Sequence, residues 1–228
     1  MIDNAAFRSI SYGLFIIGAH SADGCAGCVV NTFQQVTSTP LQVSVTLNKE
    51  NCTTQAIQNS GRFCASVLSE AAPMELIGRF GFHSSNELDK FDGVKHGEDG
   101  AGVPYVTECC AAWFSVRVVQ TLDVGTHIMF IGEVEAAEPV EQVSPMTYAY
   151  YHQVKGGKTP PRASSFLPTE ETAAPVVAPA ASDAPAAASE FTGGGGRGAY
   201  AWQCQVCGHI EYVDELPEDY VCPICGVG

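Results

Sequence analysis

The stretch Leu41-Gln42-Val43-Ser44-Val45-Thr46-Leu47-Asn48 decides how the first part of this chain folds. Apolar side chains alternate there with small polar ones, which is the pattern of a β-strand with one buried face. Polar residues are frequent on both sides, at 31–39 and 48–53. Amides and hydroxyls at a strand end or a helix N-terminus can bind phosphate, with Lys49 supplying charge. Polar strand ends are more often ordinary turns, so this pattern alone does not establish a site.

Four more segments have the composition of strands, and two have that of helices. The strand candidates are residues 12–19, 63–68, 113–119 and 127–134. Asn51 is placed to cap a helix that runs through Ala56 and Ile57 and ends near Gly61. A second short helix is expected over residues 73–80, with proline in its first turn. Regularly spaced strands with few helices predict a mainly β, α+β fold with a β-barrel core.

Charge and composition exclude several classes of function. The 228 residues carry a formal net charge of −14. Nucleic acids and anionic lipid surfaces both attract clustered basic residues, so we expect neither as a partner. The absence of a GxGxxG motif after a strand, and of a P-loop, argues against a Rossmann or nucleotide-hydrolysing domain. No signal peptide or membrane-spanning run is visible, so we expect a cytoplasmic protein with reduced cysteines.

Residues 168–198 differ in composition from the rest of the chain. They are rich in Ala, Pro and Glu, contain almost no large apolar side chains, and include four consecutive glycines at 193–196. Such a stretch cannot bury enough apolar surface to offset the entropy lost on ordering, and it is typical of a linker. We therefore divide the chain into a domain at 1–167, a linker at 168–198 and a small domain at 199–228.

Four cysteines in the last quarter form two matched motifs, Cys204-Gln205-Val206-Cys207-Gly208 and Cys222-Pro223-Ile224-Cys225-Gly226. The two pairs are separated by 14 residues and can close a tetrahedral four-sulfur shell around one metal ion. A domain of about 30 residues is too small to be stable by apolar burial alone, so the metal would supply folding energy. Ligand chemistry leaves iron and zinc open, because a tetrathiolate shell suits both.

The sequence around these motifs closely resembles the two metal-binding knuckles of rubredoxins. Trp202 precedes the first pair, and Leu216-Pro217-Glu218-Asp219-Tyr220-Val221 precedes the second. The resemblance implies transfer of single electrons by one iron ion held by Cys204, Cys207, Cys222 and Cys225. We expect iron, with zinc as the alternative.

Six motifs of the first domain, taken in their order, resemble a second family. They are Asn31-Thr32 through Pro40, Leu47-Asn48-Lys49-x-Asn51-x-Thr53, Gly61-Arg62-Phe63, Gly125-Thr126-His127 through Gly132-Glu133-Val134, Tyr150-Tyr151-His152-x-Val154-Lys155-Gly156-Gly157 and Ala163-Ser164-Ser165-Phe166. Together they are similar to the flavin reductase-like FMN-binding family over roughly residues 4–167. The resemblance implies a split β-barrel that binds FMN, and commonly a homodimer with the flavin near the subunit interface.

The same resemblance implies which residues hold the cofactor. The first two motifs would cradle the FMN phosphate and ribityl chain, while His127 and Phe166 would lie near the flavin. The expected FMN-binding residues are Asn31, Thr32, Phe33, Gln34, Gln35, Thr37, Asn48, Lys49, Asn51, Thr53, His127 and Phe166. We assign no catalytic residue from the sequence.

The remaining cysteines include a third Cys-x-x-Cys motif at Cys25 and Cys28. Such a motif can be a redox dithiol. It has no matching second pair and follows Asp23-Gly24, a hairpin signal, so we do not assign redox chemistry to it. The simplest interpretation of Cys52, Cys64, Cys109 and Cys110 is as small buried or partly buried side chains.

A flavin domain tethered to a one-iron domain predicts an electron-transfer enzyme. In this hypothesis NAD(P)H reduces FMN, and single electrons then pass to the iron and on to a redox partner protein. Fusions of this order resemble the high-molecular-weight rubredoxins, which implies a flavodiiron oxygen or nitric oxide reductase as the acceptor. The acidic side chains of Asp214, Glu215, Glu218 and Asp219 suit docking on a basic patch.

Two alternatives belong to other functional classes. The first is a free-flavin reductase that releases reduced FMN to a separate monooxygenase, with the C-terminal domain as a structural zinc site. The second is a flavin-binding sensor without enzymatic activity, whose zinc ribbon contacts a partner. The sequence leaves NADH and NADPH equally open, because it contains no dinucleotide fingerprint.

Overall fold

The computed structural model describes residues 2–21, 24–160, 162–166, 201–203 and 210–213, together with 217, 220 and 222. The chain begins with a 3-10 helix at Asn4–Ser9. The strands are β1 (Phe15–Ser21), β2 (Gly24–Val30), β3 (Gln34–Ser38), β4 (Leu41–Asn48), β5 (Arg62–Leu68), β6 (His96–Glu98), β7 (Pro104–Val106), β8 (Cys110–Asp123), β9 (His127–Pro139), β10 (Ala201–Gln203) and β11 (Ile210–Tyr212). The helices are α1 (Cys52–Ser60), α2 (Met74–Phe82) and α3 (Tyr148–Gln153).

Seven strands form one antiparallel sheet in the order β2-β1-β5-β8-β9-β4-β3. Strands β6 and β7 pair separately, as do β10 and β11. This architecture confirms the predicted mainly β fold with few helices. Within the described residues, no helix is long and apolar enough to cross a membrane.

All five predicted strands are present, with differences at their ends. Strand β1 starts at Phe15 instead of residue 12, because Gly13 and Leu14 pair with a different segment. Gly13 forms an isolated bridge to Thr147, and the Leu14 N–H donates to the Met146 carbonyl oxygen. Strands β8 and β9 are longer than predicted, since they continue to pair with each other beyond the core. The extensions at their C-terminal ends are exposed to solvent, so apolar patterning did not reveal them, whereas the N-terminal extension of β8 starts at the buried Cys110.

Helix α1 has the predicted bounds and caps. The Asn51 side chain accepts a hydrogen bond from the Thr53 N–H, and Gly61 ends the helix with a φ of 68°. That left-handed conformation is favourable for glycine, which has no Cβ. Helix α2 forms where it was predicted, but it extends to Phe82 instead of residue 80, and Pro73 is its N-cap and not part of its first turn.

Two apolar clusters hold the first domain together. The larger cluster lies between the sheet and α1, and its fully buried side chains include Ile17, Val45, Phe63 and Phe130. The alternate residues Val43, Val45 and Leu47 of β4 all belong to it, as the period-two pattern predicted. The second cluster packs α2 and α3 against the other side of β1. Helix α1 is therefore fixed against the sheet, and its N-terminus lies beside the ends of β2 and β4.

Candidate functional site

A cavity of about 400 Å³ opens where the ends of β2 and β4 meet the N-terminus of α1. Its remaining walls come from the segment after α2, the start of β9 and residues 160–164. Small-molecule sites in proteins are typically about 300–1,000 Å³ in volume, so the cavity has the size of a cofactor site. The lining residues are Cys28, Val29, Val30, Asn31, Thr32, Thr46, Leu47, Asn48, Glu50, Asn51, Cys52, Gly81, Phe82, His83, Ser84, Ser85, Lys90, His127, Pro160, Arg162, Ala163 and Ser164.

Some of the residues expected at an FMN site line this cavity and others lie elsewhere. Five of the expected residues line the cavity, namely Asn31, Thr32, Asn48, Asn51 and His127. The remaining expected residues are Phe33, Gln34, Gln35, Thr37, Lys49, Thr53 and Phe166, and none of these is part of the lining.

Three of the residues outside the lining have clear structural positions. Phe33 is buried in the core, with ring centroids 5.1 Å from Phe15 and 5.5 Å from Phe114. Lys49 is exposed and forms an ion pair with Asp123 at 2.6 Å. Thr53 is fully buried behind the cavity wall.

The N-terminus of α1 lies at the cavity, and its Thr53 and Thr54 N–H groups donate to Asn51. The Asn51 Oδ1 accepts from the Thr53 N–H at 2.9 Å, and the Thr54 hydroxyl donates to the Asn48 carbonyl oxygen at 2.7 Å. The Thr53 Oγ1 is buried and has no hydrogen-bond partner among the described residues. A helix N-terminus carries partial positive charge, so this wall favours an anionic group.

Lys90 is a cavity residue that the sequence analysis missed. Its side chain is 2% exposed, and its ammonium donates to the carbonyl oxygens of Gly27 at 2.8 Å and Phe80 at 3.1 Å. An ammonium has three donors, and these two bonds use two of them. Burial lowers the pKa of Lys90, because desolvation disfavours the charged form. Residues 86–99, which include Lys90, have the composition of a solvated loop, and that interpretation is wrong for Lys90 because no local pattern indicates that this lysine turns inward.

Hydroxyl and thiol groups lie beside this ammonium. Ser84 and Ser85 line the cavity, and Ser85 Oγ accepts from the Gly27 N–H at 3.2 Å. Cys52 Sγ lies 3.5 Å from Ser84 Oγ. Burial raises the pKa of the Cys28 thiol to about 11, although the Lys90 ammonium opposes the shift. Cys28 is therefore a neutral thiol at pH 7 and a poor nucleophile.

His127 stands at the start of β9 and also lines the cavity. Its Nδ1 is 2.8 Å from the Thr126 hydroxyl. Partial burial lowers the pKa of His127 below its usual 6.5, so the imidazole is neutral at pH 7. A neutral imidazole can donate or accept a hydrogen bond without adding charge to the cavity.

The segment 162–166 closes one side of the cavity and is tied to the strand ends. The Asn48 Nδ2 donates to the Arg162 carbonyl oxygen at 3.2 Å, and the Asn31 Nδ2 donates to Ser165 Oγ at 3.0 Å. The Arg162 guanidinium also pairs with Glu50 at 3.0 Å. Two expected cofactor residues, Asn31 and Asn48, thus also hold this wall in place.

The structure describes one of the four expected metal ligands, Cys222. Cys222 is buried, with 2% exposure, while Cys204, Cys207 and Cys225 lie outside the described residues, as does the predicted linker. Gln203 of β10 pairs with Ile210 of β11, on either side of the first Cys-x-x-Cys motif in sequence. The Trp202 indole N–H donates to the Val213 carbonyl oxygen at 3.1 Å. The donor set of four cysteines has the composition of a tetrathiolate site for iron or zinc.

The third Cys-x-x-Cys motif lies on strand β2. Cys25 and Cys28 are three positions apart in an extended strand, so their side chains point to opposite faces of the sheet. Cys28 belongs to the larger apolar cluster and Cys25 packs against the other one. The two thiols therefore do not face each other. Cys64 and Cys110 are fully buried, as expected of small apolar side chains.

The lining of the cavity fits a phosphorylated, ring-containing ligand such as a flavin. A buried ammonium, serine hydroxyls and a helix N-terminus suit a phosphate group. Val29, Val30, Leu47 and Phe82 supply apolar surface for a ring system. The described part of the chain contains no cluster of three His, Cys, Asp or Glu side chains able to hold a metal ion.

Comparison with known families agrees with this geometry. Residues 7–159 match the model of the flavin reductase-like domain, and the chain belongs to this family. Residues 202–228 match the rubredoxin-like domain of rubrerythrin. The chain thus joins a flavin reductase-like domain to a C-terminal rubredoxin-like domain.

Individual relatives cover the chain to different extents. A high molecular weight rubredoxin from Moorella thermoacetica is 38% identical over all of this chain and 97% of its own length. A ferric-chelate reductase (NAD(P)H) from Archaeoglobus fulgidus is 46% identical over 73% of this chain and 98% of its own length. The crystal structure of a nitrilotriacetate monooxygenase component B from Mycobacterium thermoresistibile matches with a TM-score of 0.56 and 25% identity, over 63% of this chain and 79% of that one.

Proposed function

We propose that this chain is an NAD(P)H-dependent FMN oxidoreductase that passes electrons through a four-cysteine iron centre to a redox partner protein. The observation that carries the proposal is the presence of both domain families in one chain, with a cavity of cofactor size in the first. Alignment with a high molecular weight rubredoxin along the whole chain supports the same combination. The ferric-chelate reductase supports NAD(P)H as the donor.

Bound flavin would accept a hydride from a nicotinamide and give up electrons singly, which a one-iron tetrathiolate centre can take up. The residues of the protein would bind the flavin and orient it. Lys90, Ser84 and Ser85 would hold the phosphate group, beside the partial positive charge of the α1 N-terminus. The side chains of Asn31, Thr32, Asn48 and His127, at the strand ends, would bind the polar groups of the remaining cofactor.

In this proposal Lys90 takes the role that the sequence suggested for Lys49. Lys49 is exposed and already paired with Asp123, whereas Lys90 is buried in the cavity wall. A cation removed from water interacts more strongly with a phosphate than an exposed one does, because solvent screens it less. The expected contributions of Gln34, Gln35, Thr37 and Phe166 would lie outside this cavity, and the Phe33 side chain would act only from the core, where it packs against Phe15 and Phe114.

The C-terminal domain is proposed to bind iron through Cys204, Cys207, Cys222 and Cys225, with zinc as the alternative. We place the flavin domain at 1–167, the linker at 168–198 and the rubredoxin-like domain at 199–228. The family matches at 7–159 and 202–228 are consistent with these limits. A linker between the two domains would keep them at a high effective concentration and still let the iron domain reach a partner.

A homodimer is the proposed assembly, and a flavodiiron protein is the proposed type of acceptor. Several large apolar side chains are exposed on strands of the main sheet, among them Val36, Leu41, Val119 and Leu122. Exposed apolar surface of this kind is typical of an association face.

The acidic residues 214–219 of the C-terminal domain would suit a basic docking surface on the acceptor.

An anaerobic visible spectrum of the purified protein, with iron and zinc analysis, tests the proposed function. We expect flavin and ferric-thiolate absorption together, and bleaching of both after addition of NADH or NADPH. Flavin bleaching with the iron left oxidised would contradict the relay between the centres. One zinc ion per chain, with release of flavin on gel filtration, would instead support a free-flavin reductase with a structural tail.

A further inference from the structure

Two charged side chains lie where the cofactor cavity opens to solvent. Arg162 and Glu50 both line the cavity, and their side chains are 76% and 67% exposed. Lys90 lines the same cavity but is almost completely buried. The cavity therefore has an inner end with a buried ammonium and an outer end with an exposed ion pair.

The backbone of Arg162 is held in place, whereas its guanidinium is open to solvent. The Arg162 carbonyl oxygen accepts from Asn48 Nδ2 at 3.2 Å, and the His127 ring also hydrogen-bonds the Arg162 backbone. The guanidinium pairs with the Glu50 carboxylate at 3.0 Å. An exposed ion pair adds little to stability, because water screens both charges. Arg162 can therefore exchange this carboxylate for another anion while its backbone stays in the cavity wall.

The distribution of charge makes Arg162 the cation that a second anionic molecule would meet. The chain has a formal net charge of −14, which repels a negatively charged dinucleotide. Among the described lining residues, the only lysine or arginine side chains are Lys90 and Arg162. In the proposed function Lys90 holds the flavin phosphate at the inner end. Arg162 is then the cation at the outer end, where the electron donor would enter.

The guanidinium group is well suited to a pyrophosphate. Its planar fork can donate parallel N–H bonds to phosphate oxygens, and it stays protonated at physiological pH. NADH and NADPH both carry a pyrophosphate between their nicotinamide and adenosine halves. A cavity of about 400 Å³ that already holds a flavin has no room for a whole dinucleotide. The pyrophosphate would therefore lie at the opening, where Arg162 is.

We propose that Arg162 binds the pyrophosphate of NAD(P)H at the outer end of the cavity, and that Glu50 competes with the pyrophosphate for the guanidinium. This assignment rests on the function proposed above and adds a binding residue for its electron donor. Arg162 acts on the affinity for the dinucleotide and not on hydride transfer, so it is a substrate-binding residue.

A purely structural ion pair would respond differently to substitution. If Arg162 and Glu50 only held residues 162–166 against the cavity, loss of either charge would loosen this segment, and both changes would weaken binding. If Glu50 competes with the pyrophosphate, the two changes act in opposite directions. Arg162→Ala removes the donor to the phosphates, whereas Glu50→Gln frees it.

Stopped-flow reduction of the flavin in the FMN-loaded full-length protein, over a range of NADH concentrations, gives an apparent dissociation constant and a limiting rate. We expect Arg162→Ala to raise the constant by about tenfold, the low end for a bond to a charged group because solvent screens the site. Its limiting rate should change by less than about twofold. Glu50→Gln should lower the constant by about threefold. Arg117→Ala is the matched control, since Arg117 is also exposed and paired, with Glu133 and Glu135, but lies outside the cavity lining.

A donor without phosphate separates the pyrophosphate contact from other effects. Arg162→Ala should impair reduction by NADH far more than reduction by N-benzyl-1,4-dihydronicotinamide, which delivers a hydride and carries no phosphate. An equal loss with both donors would overturn the assignment. A higher constant for NADH in both Arg162→Ala and Glu50→Gln would also overturn it, because the ion pair would then be structural.

Binding of NAD⁺ provides a test that is independent of turnover, because NAD⁺ cannot reduce oxidised flavin. Calorimetric titration of the FMN-loaded variants should show the same opposite changes in affinity for Arg162→Ala and Glu50→Gln. These changes without any reduction by NADH would support the Arg162 site and contradict the proposed function. Unchanged NAD⁺ affinity in both variants, with normal reduction by NADH, would overturn the Arg162 site alone.

Discussion

The ammonium of Lys90 donates to the carbonyl oxygen of Gly27 at 2.8 Å, across 63 positions of sequence. This contact joins the loop after α2 to strand β2, and it places a buried positive charge in the cavity wall. The second bond, to the Phe80 carbonyl oxygen, ties the same ammonium to α2. Lys90 therefore has both a structural role and a position from which it can attract an anionic group.

Replacing Lys90 with methionine should weaken flavin binding. A hydrogen bond that involves a charged group contributes about 1.5–3 kcal/mol, so we expect the FMN dissociation constant of Lys90→Met to rise by roughly 10- to 150-fold. Methionine keeps most of the side-chain volume, which limits the effect on packing. Quenching of flavin fluorescence during titration of the flavin-free protein measures the change. Lys95→Met, at an exposed lysine outside the cavity lining, is the control and should leave binding unchanged. Equal affinity in both variants would remove Lys90 from the binding site.

Gly18→Ala should destabilise the first domain. A Cβ on Gly18 would lie 2.1 Å from the carbonyl oxygen of Pro104, which is backbone and cannot move aside cheaply. Strand β1 would have to move away from β7, at a cost of about 3 kcal/mol in the free energy of unfolding. Gly100→Ala, where no atom lies within 4 Å, is the matched control and should change stability by less than about 0.5 kcal/mol. Denaturant unfolding of both variants checks this, and similar midpoints would contradict the close approach of β1 and β7.

Asp99 should contribute stability that depends on pH. Partial burial alone would raise its pKa, but hydrogen bonds from Ser115, Val103 and Ala101 outweigh that effect and hold the pKa below its usual 3.8. The Ser115 hydroxyl donates to Asp99 at 2.5 Å. A carboxyl with a depressed folded-state pKa stabilises the fold above its unfolded pKa, and the stabilisation is lost as the pH falls through the folded value.

Asp99→Asn should therefore lower the free energy of unfolding at pH 7 by about 1 kcal/mol, a value reduced because the carboxylate is partly exposed. The difference from the parent protein should shrink as the pH is lowered below about 3.8. Unfolding curves at pH 7, 5 and 3 measure it. A difference that stays constant over this range would show that the charge of Asp99 is not responsible.

Cys222→Ser should abolish metal binding without removing flavin. One lost thiolate leaves three ligands, and a structural tetrathiolate site depends on all four for its folding energy. We expect less than about one tenth of the parent metal content by elemental analysis, with the flavin absorption retained. Cys64→Ser, at a cysteine in the core of the first domain, is the comparison that should keep the metal. Full metal occupancy in Cys222→Ser would exclude Cys222 as a ligand.

Local patterns were sufficient where neighbouring residues decide the conformation. The bounds of α1 follow from Asn51 and Gly61, because a cap depends on the backbone within a few residues of it. Strand β4 follows from the alternation of Val43, Val45 and Leu47, whose buried face matches the pattern. Strand β2 was not predicted, because its small residues Gly24 to Gly27 lack the β-branched side chains that usually indicate a strand.

The sequence by itself thus determined the fold class, the helix caps and strand core of the first domain, and the two Cys-x-x-Cys motifs of the second. Only the tertiary structure decided which charged and polar side chains share a cavity. It turned Lys90 inward, paired Lys49 with Asp123, and placed Arg162 beside Glu50 at the outer end of the cavity. The physical reason is that caps and strand patterns depend on adjacent residues, whereas burial and pairing depend on contacts between segments far apart in the chain.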